Sequence, residues 1–303
     1  MNKIKVIELF GGIGAPRKAL ENVAQELGFD IKSIDYVEIC PKAVESYNAL
    51  FEHLKEPESV IGYNLKPDIL VHGSPCQTFS MASNGIKQLD VADNLNDYLE
   101  RIKNGTNVKS DLFWETLRII DNFGQWKPNV VIWENVPSVL NKNNISSFNA
   151  YIETMEEMGY TNSYEILDAT DFGIPQGRKR LFVVSKLNGT SFNFDNLEKK
   201  LMRKLTDFLE TNVDDYYTIG QPSMLKAIED NKMKILDLNN DKEYVSTITT
   251  KQWRWNVSVV PISDTQYRIL TPLECWRLMG FSDNDYYNVY QIAYMTNGNY
   301  DYV

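Results

Sequence analysis

Short apolar runs and longer amphipathic stretches alternate along residues 1–185. KVIELF is a mostly apolar run that ends in the glycine turn GGIG, and APRKALENVAQEL after it has the spacing of a helix. SIDYVEI predicts a second strand, followed by a helix from about Pro41 to Phe51, with proline suited to its first turn. DILVHG and NVVIWEN read as buried strands. Between them, SDLFWETLRIIDNF places Phe113, Leu117 and Ile120 at i, i+4 and i+7, one helical stripe. ISSFNAYIETMEEMG predicts another helix, and RLFVVSK the strand that closes the series. Alternation of this kind predicts an α/β fold, a doubly wound and mostly parallel sheet covered on both faces.

Two stretches break the rhythm. Residues 77–110 are polar, carry Gly85 and Gly105, and form a connection long enough to be functional; their place suggests a lid. From about Leu187 to Ser263 the segment is rich in Asn, Asp, Lys and Tyr, with one strand-like patch, YVSTITTKQWRWNVSVV. RILTPLECWRLMGF then predicts a helix capped by Thr271, with Pro272 at its first position and Gly280 as its stop. The expected domains are therefore 1–186, a smaller one at 187–263, and a return segment at 264–303.

Composition narrows the classes. A 43% hydrophobic content supports a real core in a chain of 303 residues, and no apolar run reaches the length of a membrane span. The N-terminus passes directly into a strand, so no signal peptide is expected, and three widely spaced cysteines do not make a disulfide framework. A reducing cytoplasm is the expected location. The net charge of −10 excludes a wholly basic coat but leaves room for local phosphate-binding patches. Arg178, Lys179 and Arg180 form one such patch; Lys199, Lys200, Arg203 and Lys204 read better as a solvated face.

Candidate chemistry gathers where the predicted strands end. Gly12 and Gly14 let the backbone approach a ligand, and the following helix offers free N–H groups to an anion. Glu38, closing the second strand, can accept hydrogen bonds from ribose hydroxyls, which points to a nucleoside cofactor. Arg17 stands where a dinucleotide fingerprint has its third glycine. In VHGSPCQTFS, Cys76 follows a strand in a turn stiffened by Pro75, which favours a nucleophile. Cys40 and Cys275 read instead as small buried hydrophobes. His72 lies within the strand and reads as a buried residue. Glu134 ends another buried run, where a charge needs a partner. Gln176, Arg178 and Arg180 alternate at a strand entry, suited to a polarised substrate.

FGGIG, VEI, GSPCQTFS, WENV, Q-G-R-K-R and RILTPLECWRLMGF stand in the order and context of the motifs of the cytosine-5 DNA methyltransferases, and outside residues 187–245 nearly the whole chain resembles that family, in its bacterial and phage type. The resemblance implies an enzyme that uses S-adenosylmethionine and no metal. It makes Cys76 the nucleophile that adds to carbon 6 of a flipped cytosine, and Glu134 the group that holds ring nitrogen 3 and the exocyclic amine. Arg178 and Arg180 would orient the base. Phe10 would stack on the cofactor adenine and Glu38 would hold its ribose, with Gly12, Gly14, Ile39, Pro75 and Asn299 completing that site.

The resemblance also makes 187–263 a target-recognition domain for double-stranded DNA, with Trp253, Arg254 and Trp255 either facing DNA or packing. The chain is expected to act as a monomer, beside a cognate restriction endonuclease or alone. A tRNA-methylating relative and an inactive DNA-binding remnant are the competing classes. Glu8 stands where the family usually has aspartate, and SVIGYNLKP lacks the acidic residue that commonly meets the adenine amine. Tyr300 replaces a small hydroxyl residue after Gly298 and Asn299, and the family's closing helix is expected to be missing.

Overall fold

The computed structural model describes residues 4–51, 55, 67–74, 92, 94–104, 112–142, 144–249 and 251–297. They form two compact units, one of residues 1–166 and 180–196 and one of 167–179 and 197–303. The sequence-based boundaries differ: 264–303 groups with 197–263 in the second unit.

The first unit runs β1 (Ile4–Leu9), α1 (Ala15–Leu27), β2 (Ile31–Val37), α2 (Pro41–Phe51), β3 (Ile69–His72), α3 (Leu95–Lys103), α4 (Leu112–Asn122), β4 (Val130–Asn135), α5 (Ile145–Glu157) and β5 (Tyr160–Asp168). After the two-residue β6 (Gln176–Gly177), β7 (Lys179–Leu187) completes a six-stranded sheet ordered β2-β1-β3-β4-β7-β5. β2, β1, β3 and β4 pair in parallel, as the strand–helix alternation predicts. β7 runs antiparallel to β4. The connection from β5 to β7 contains no crossover helix, and a parallel return would need one.

Helices lie on both faces. Ile7, Leu9, Leu70, Val131, Trp133 and Val183 pack with Phe113, Leu117 and Ile120 of α4 and Phe148, Tyr151 and Met155 of α5. Tyr36 packs with Val44, Tyr47 and Phe51 of α2 in a separate cluster. Burying each large apolar side chain contributes roughly 1.5–3 kcal/mol, so the sheet is fixed mainly by these two layers. β5 is absent from the sequence-based series because YTNSYEILD is polar on both faces: it is an edge strand, with Tyr164 and Ile166 exposed. Part of the expected lid also differs. α3 is anchored in the core through Tyr98, whose hydroxyl donates to Glu115 Oε2 at 2.8 Å, and Trp114 Nε1 donates to the Ala92 carbonyl at 3.1 Å. Residues 77–91 lie outside the described residues.

In the second unit, α6 (Pro222–Glu229), β8 (Lys234–Ile235), β9 (Val245–Ser246), β10 (Ser258–Pro261), β11 (Tyr267–Arg268), α7 (Pro272–Leu278) and α8 (Asp283–Asn297) follow. The strand-like patch at 244–260 is two short strands joined by a turn. In that turn Trp253 packs against an apolar cluster with Val257 and Ile228, whereas Arg254 and Trp255 are exposed. Lys199 and Lys204 form ion pairs with Asp171 and Asp241 on the exposed surface, as a solvated face should. α7 has the expected cap: Thr271 and Glu274 form a capping box, Pro272 opens the helix, and Gly280 follows with a left-handed φ of +88°. Glu274 does more than cap. It is fully buried and receives both terminal nitrogens of Arg268 at 2.8 Å, as well as the Glu210 N–H at 2.8 Å.

Removing one member strands a buried charge, which costs about 3–5 kcal/mol. Arg268→Ala should therefore lower the stability of the second unit by that order in urea denaturation, and the paired Arg268→Met, Glu274→Gln variant, which removes both charges but keeps an acceptor for the Glu210 and Thr271 N–H groups, should lose much less.

Candidate active site at the carboxyl edge of the sheet

Strand order in the first unit reverses at β1, which has β2 on one side and β3 on the other. Doubly wound sheets bind ligands outside the carboxyl ends of the strands at such a reversal. Register makes this edge level. Leu9 pairs with His72, and His72 pairs with Trp133. The next residues on the three strands, Phe10, Gly73 and Glu134, therefore stand in one row.

Antiparallel β7 brings its start to the same edge, because Asn135 pairs with Leu181. Arg180, one residue earlier, sets its Nε 3.0 Å from Glu134 Oε1. The Glu134 side chain stays 39% exposed, within reach of a ligand. Asn135 extends its Nδ2 to the Ser74 carbonyl at 3.2 Å and so ties β4 to the segment that leads into Pro75 and Cys76. Pro75, Cys76 and Asn299 lie outside the described residues. Arg178 belongs to the second unit, where its N–H donates to Asp168 Oδ1 at 3.2 Å. Gln176 is buried in that unit as a staple: its Nε2 donates to the Leu278 carbonyl at 2.8 Å and its Oε1 accepts the Ile248 N–H at 3.1 Å. Its place in an alternating polar motif gave no sign of this.

Beyond β1 the chain turns sharply. Phe10 has a φ of 55°, unusual for a bulky residue and costing of order 1–3 kcal/mol. Gly12 is also left-handed, at +56°, and a Cβ there would meet no described atom within 4 Å. Gly14 differs: a Cβ would fall 2.5 Å from the Phe51 ring and 2.7 Å from that of Tyr47, so its bareness serves the packing of α1 on α2. Glu38 ties β2 to the turn, its Oε2 accepting the Gly12 N–H at 3.0 Å and its Oε1 those of Ile39 and Cys40 at 2.8 Å. Ile39 is exposed beside it, and so is Cys40, which begins α2 at this edge and is not the buried hydrophobe expected. At the start of α1, Gly14 provides no side-chain cap and Pro16 has no N–H. The Arg17 N–H is directed to the Glu8 carboxylate, so this helix end offers a ligand little beyond the N–H of Ala15. Open space at Gly12, the Phe10 ring and the Glu38 carboxylate fit a nucleoside cofactor. Among the described residues, no group of three or more His, Cys, Asp or Glu side chains is placed to hold a metal ion.

Beneath the turn lies a buried network that the sequence did not single out. Glu8 Oε1 accepts the Tyr47 hydroxyl at 3.1 Å, and Tyr47 in turn accepts Arg17 Nη1 at 2.9 Å. The Arg17 guanidinium also sits 4.3 Å from the centre of the Phe51 ring, so the residue at the third glycine position is a strut between α1 and α2. Burial pushes the Glu8 carboxyl up to about 7, although the Tyr47 bond and the charge of Arg17 oppose the shift. His72 is buried as expected. It lies 3.0 Å from the Tyr151 hydroxyl, and burial pulls it down to about 3, so it stays neutral.

Comparison with known proteins fits this geometry. The family described as C-5 cytosine-specific DNA methylase matches residues 4–303. The chain belongs to the C-5 cytosine-specific DNA methylase family. Among members, the type II methyltransferase M2.ScrFI of Lactococcus lactis subsp. cremoris is 34% identical over 226 residues, covering 72% of this chain and 57% of that protein. The type II methyltransferase M.MspI of Moraxella sp is 31% identical over 288 residues, covering 91% of this chain and 62% of that one. The chain thus spans about three fifths of the length of these two relatives. In fold it resembles the crystal structure of the S. pombe Dnmt2 methyltransferase, with a TM-score of 0.70 at 20% identity over 94% of this chain and 88% of that one.

The Glu8 shift has a measurable consequence. Below about pH 4.5, its ordinary value, the carboxyl is protonated in folded and unfolded chains alike. Between there and about 7 only the folded chain keeps the proton, so stability is lost as pH rises through this window. Glu8→Gln should remove that loss, gaining about 3 kcal/mol on the parent between about pH 4 and pH 8 in denaturant titrations. His72, whose contribution runs the opposite way, cancels in the comparison.

Proposed function

We propose that this chain is a site-specific DNA methyltransferase that methylates carbon 5 of a cytosine flipped out of double-stranded DNA. The observation that carries the reading is the level row at the sheet edge. It brings Glu134, paired with Arg180, beside the segment leading into Cys76, one strand away from the Phe10–Gly12 turn. S-adenosylmethionine would be held by the Phe10 ring, the open backbone at Gly12, and Glu38 with Ile39, Gly14, Pro75 and Asn299 nearby; when bound, it supplies an electrophilic methyl group.

The chain's own residues do the rest. The Cys76 thiolate adds to carbon 6, which makes carbon 5 electron-rich. Glu134 meets Arg180 through Oε1 and turns Oε2 toward the row; the side chain, protonated before the attack, gives its proton to ring nitrogen 3 as charge develops there and accepts from the exocyclic amine. Arg180 holds Glu134 in place, and Arg178 aids orientation of the base. After methylation, a solvent water or hydroxide takes the carbon 5 proton, the C–H pair forms the carbon 5–carbon 6 double bond, and the carbon–sulfur pair leaves with the Cys76 thiolate. Extruding the base costs a few kcal/mol, which binding to the protein offsets. The second unit reads the target sequence. The enzyme works in the cytoplasm as a monomer, either beside a restriction endonuclease or alone.

Labelled S-adenosylmethionine offered with duplex DNA and with tRNA tests the reading. Label should enter DNA; label in tRNA alone, or in neither, would sink it. Cys76→Ala should abolish covalent trapping on duplexes containing 5-fluorocytosine. Glu134→Gln should fold normally but lower turnover on DNA by roughly a hundredfold, the scale of losing one transition-state hydrogen-bonding group.

A further inference from the structure

Most glycines near the site have a local explanation. Gly11 and Gly14 make room for rings whose atoms would lie 2.6 Å and 2.5 Å from an added Cβ, and Gly12 needs its left-handed backbone. Gly73 has neither reason. Its φ lies outside the left-handed region, and a Cβ there would meet nothing among the described residues closer than 3.8 Å, an ordinary contact distance. Among the described residues, a methyl group at this position has room. Nor is the segment a loose loop, since Ser74 is buried and its carbonyl is held by Asn135.

What distinguishes the position is its neighbours. The missing methyl would point between Glu134 Oε2 at 3.8 Å and the Phe10 carbonyl oxygen at 4.0 Å. One wall therefore belongs to the base-holding carboxylate and the other to the cofactor turn, and both are hydrogen-bond acceptors. A methyl group on a positively charged sulfur suits such a gap, because its polarised C–H bonds make weak C–H···O contacts.

We propose that Gly73 keeps open the passage through which the methyl group crosses from cofactor to cytosine, with the Phe10 carbonyl and the Glu134 carboxylate as its walls. Gly73 is then a positioning residue, fixed by clearance and not by conformation. The inference rests on the function proposed above. In the transfer, the S–CH3 bond breaks as the C5–CH3 bond forms; the bonding pair stays on sulfur, which leaves as a neutral thioether. A methyl group at residue 73 would hold the two reacting centres apart without touching Cys76 chemistry.

The test compares Gly73→Ala with the parent in four measurements: thermal melting, binding of S-adenosylmethionine, methyl transfer to duplex DNA, and cofactor-free exchange of tritium from carbon 5 of cytosine. Exchange needs thiolate addition and release but no methyl group. Gly73→Ala should melt like the parent, exchange tritium and bind cofactor within about threefold of it, and transfer methyl at least about a hundredfold more slowly, as expected for misplacement on the ångström scale. Transfer within about threefold of the parent would overturn the proposal, as would equal losses in exchange and transfer, or loss of cofactor binding. A parent that transfers no methyl to DNA would overturn the proposed function, and the passage with it.

Discussion

The site depends above all on the parallel register of β1, β3 and β4. With Leu9, His72 and Trp133 paired across the sheet, the residues that follow them are level, and no loop has to reach for its partner. A slip of one residue on β3 would turn every side chain of that strand to the opposite face. His72 would then be forced out of its place, where its ring stacks on Trp133 at 5.7 Å and lies tilted to Tyr151 at 5.9 Å. The aromatic layer under the sheet thus fixes the row above it. β7 is locked to the same row through the pairing of Glu134 with Phe182, which brings Arg180 to Glu134 without a specialised loop.

Polar groups under the edge are costly, and each has a structural return. The raised Glu8 carboxyl shows that an acid has been placed where its charge is unwelcome, yet its bond to Tyr47 joins β1 to α2, and Tyr47 joins α2 to Arg17 of α1. The Tyr36 hydroxyl donates to the Gly12 carbonyl at 2.5 Å, and Glu38 holds the Gly12 N–H. Both backbone polar groups of Gly12 are thus pinned, and the left-handed turn from Phe10 to Gly12 is over-determined, which is the condition under which backbone strain persists.

Much of this was legible in the chain. The strands of the first unit announce themselves as apolar runs because they are buried on both faces, and the helix at 272–278 carries its cap and its glycine stop in the sequence. The places of Glu134 and Arg180 at strand ends were readable, but their contact was not: it depends on β7 running antiparallel, and nothing in RLFVVSK states a direction. β5 escaped notice because an edge strand lacks the apolar run. α3 was hidden for a different reason. Its polar face dominates the composition of 95–103, while Tyr98, Leu95, Leu99 and Ile102 form its stripe against the core. Gln176 and Asn135 show the limit of motif reading. A polar residue inside a motif can contact ligand or brace backbone, and only the partner, Leu278 for one and Ser74 for the other, decides which.

The pair of Glu134 and Arg180 illustrates how the edge separates stability from recognition. A partly exposed ion pair contributes about 0–1 kcal/mol, so the fold has little need of it. Its geometry divides the carboxylate instead. Arg180 meets Oε1 at 3.0 Å, while Oε2 faces Gly73. An unpaired carboxylate could rotate and offer either oxygen; one anchored by a neighbouring cation presents a single acceptor in a fixed direction. The same oxygen would lie 3.8 Å from a Cβ at residue 73 of the neighbouring strand, with the Phe10 carbonyl oxygen at 4.0 Å on its other side.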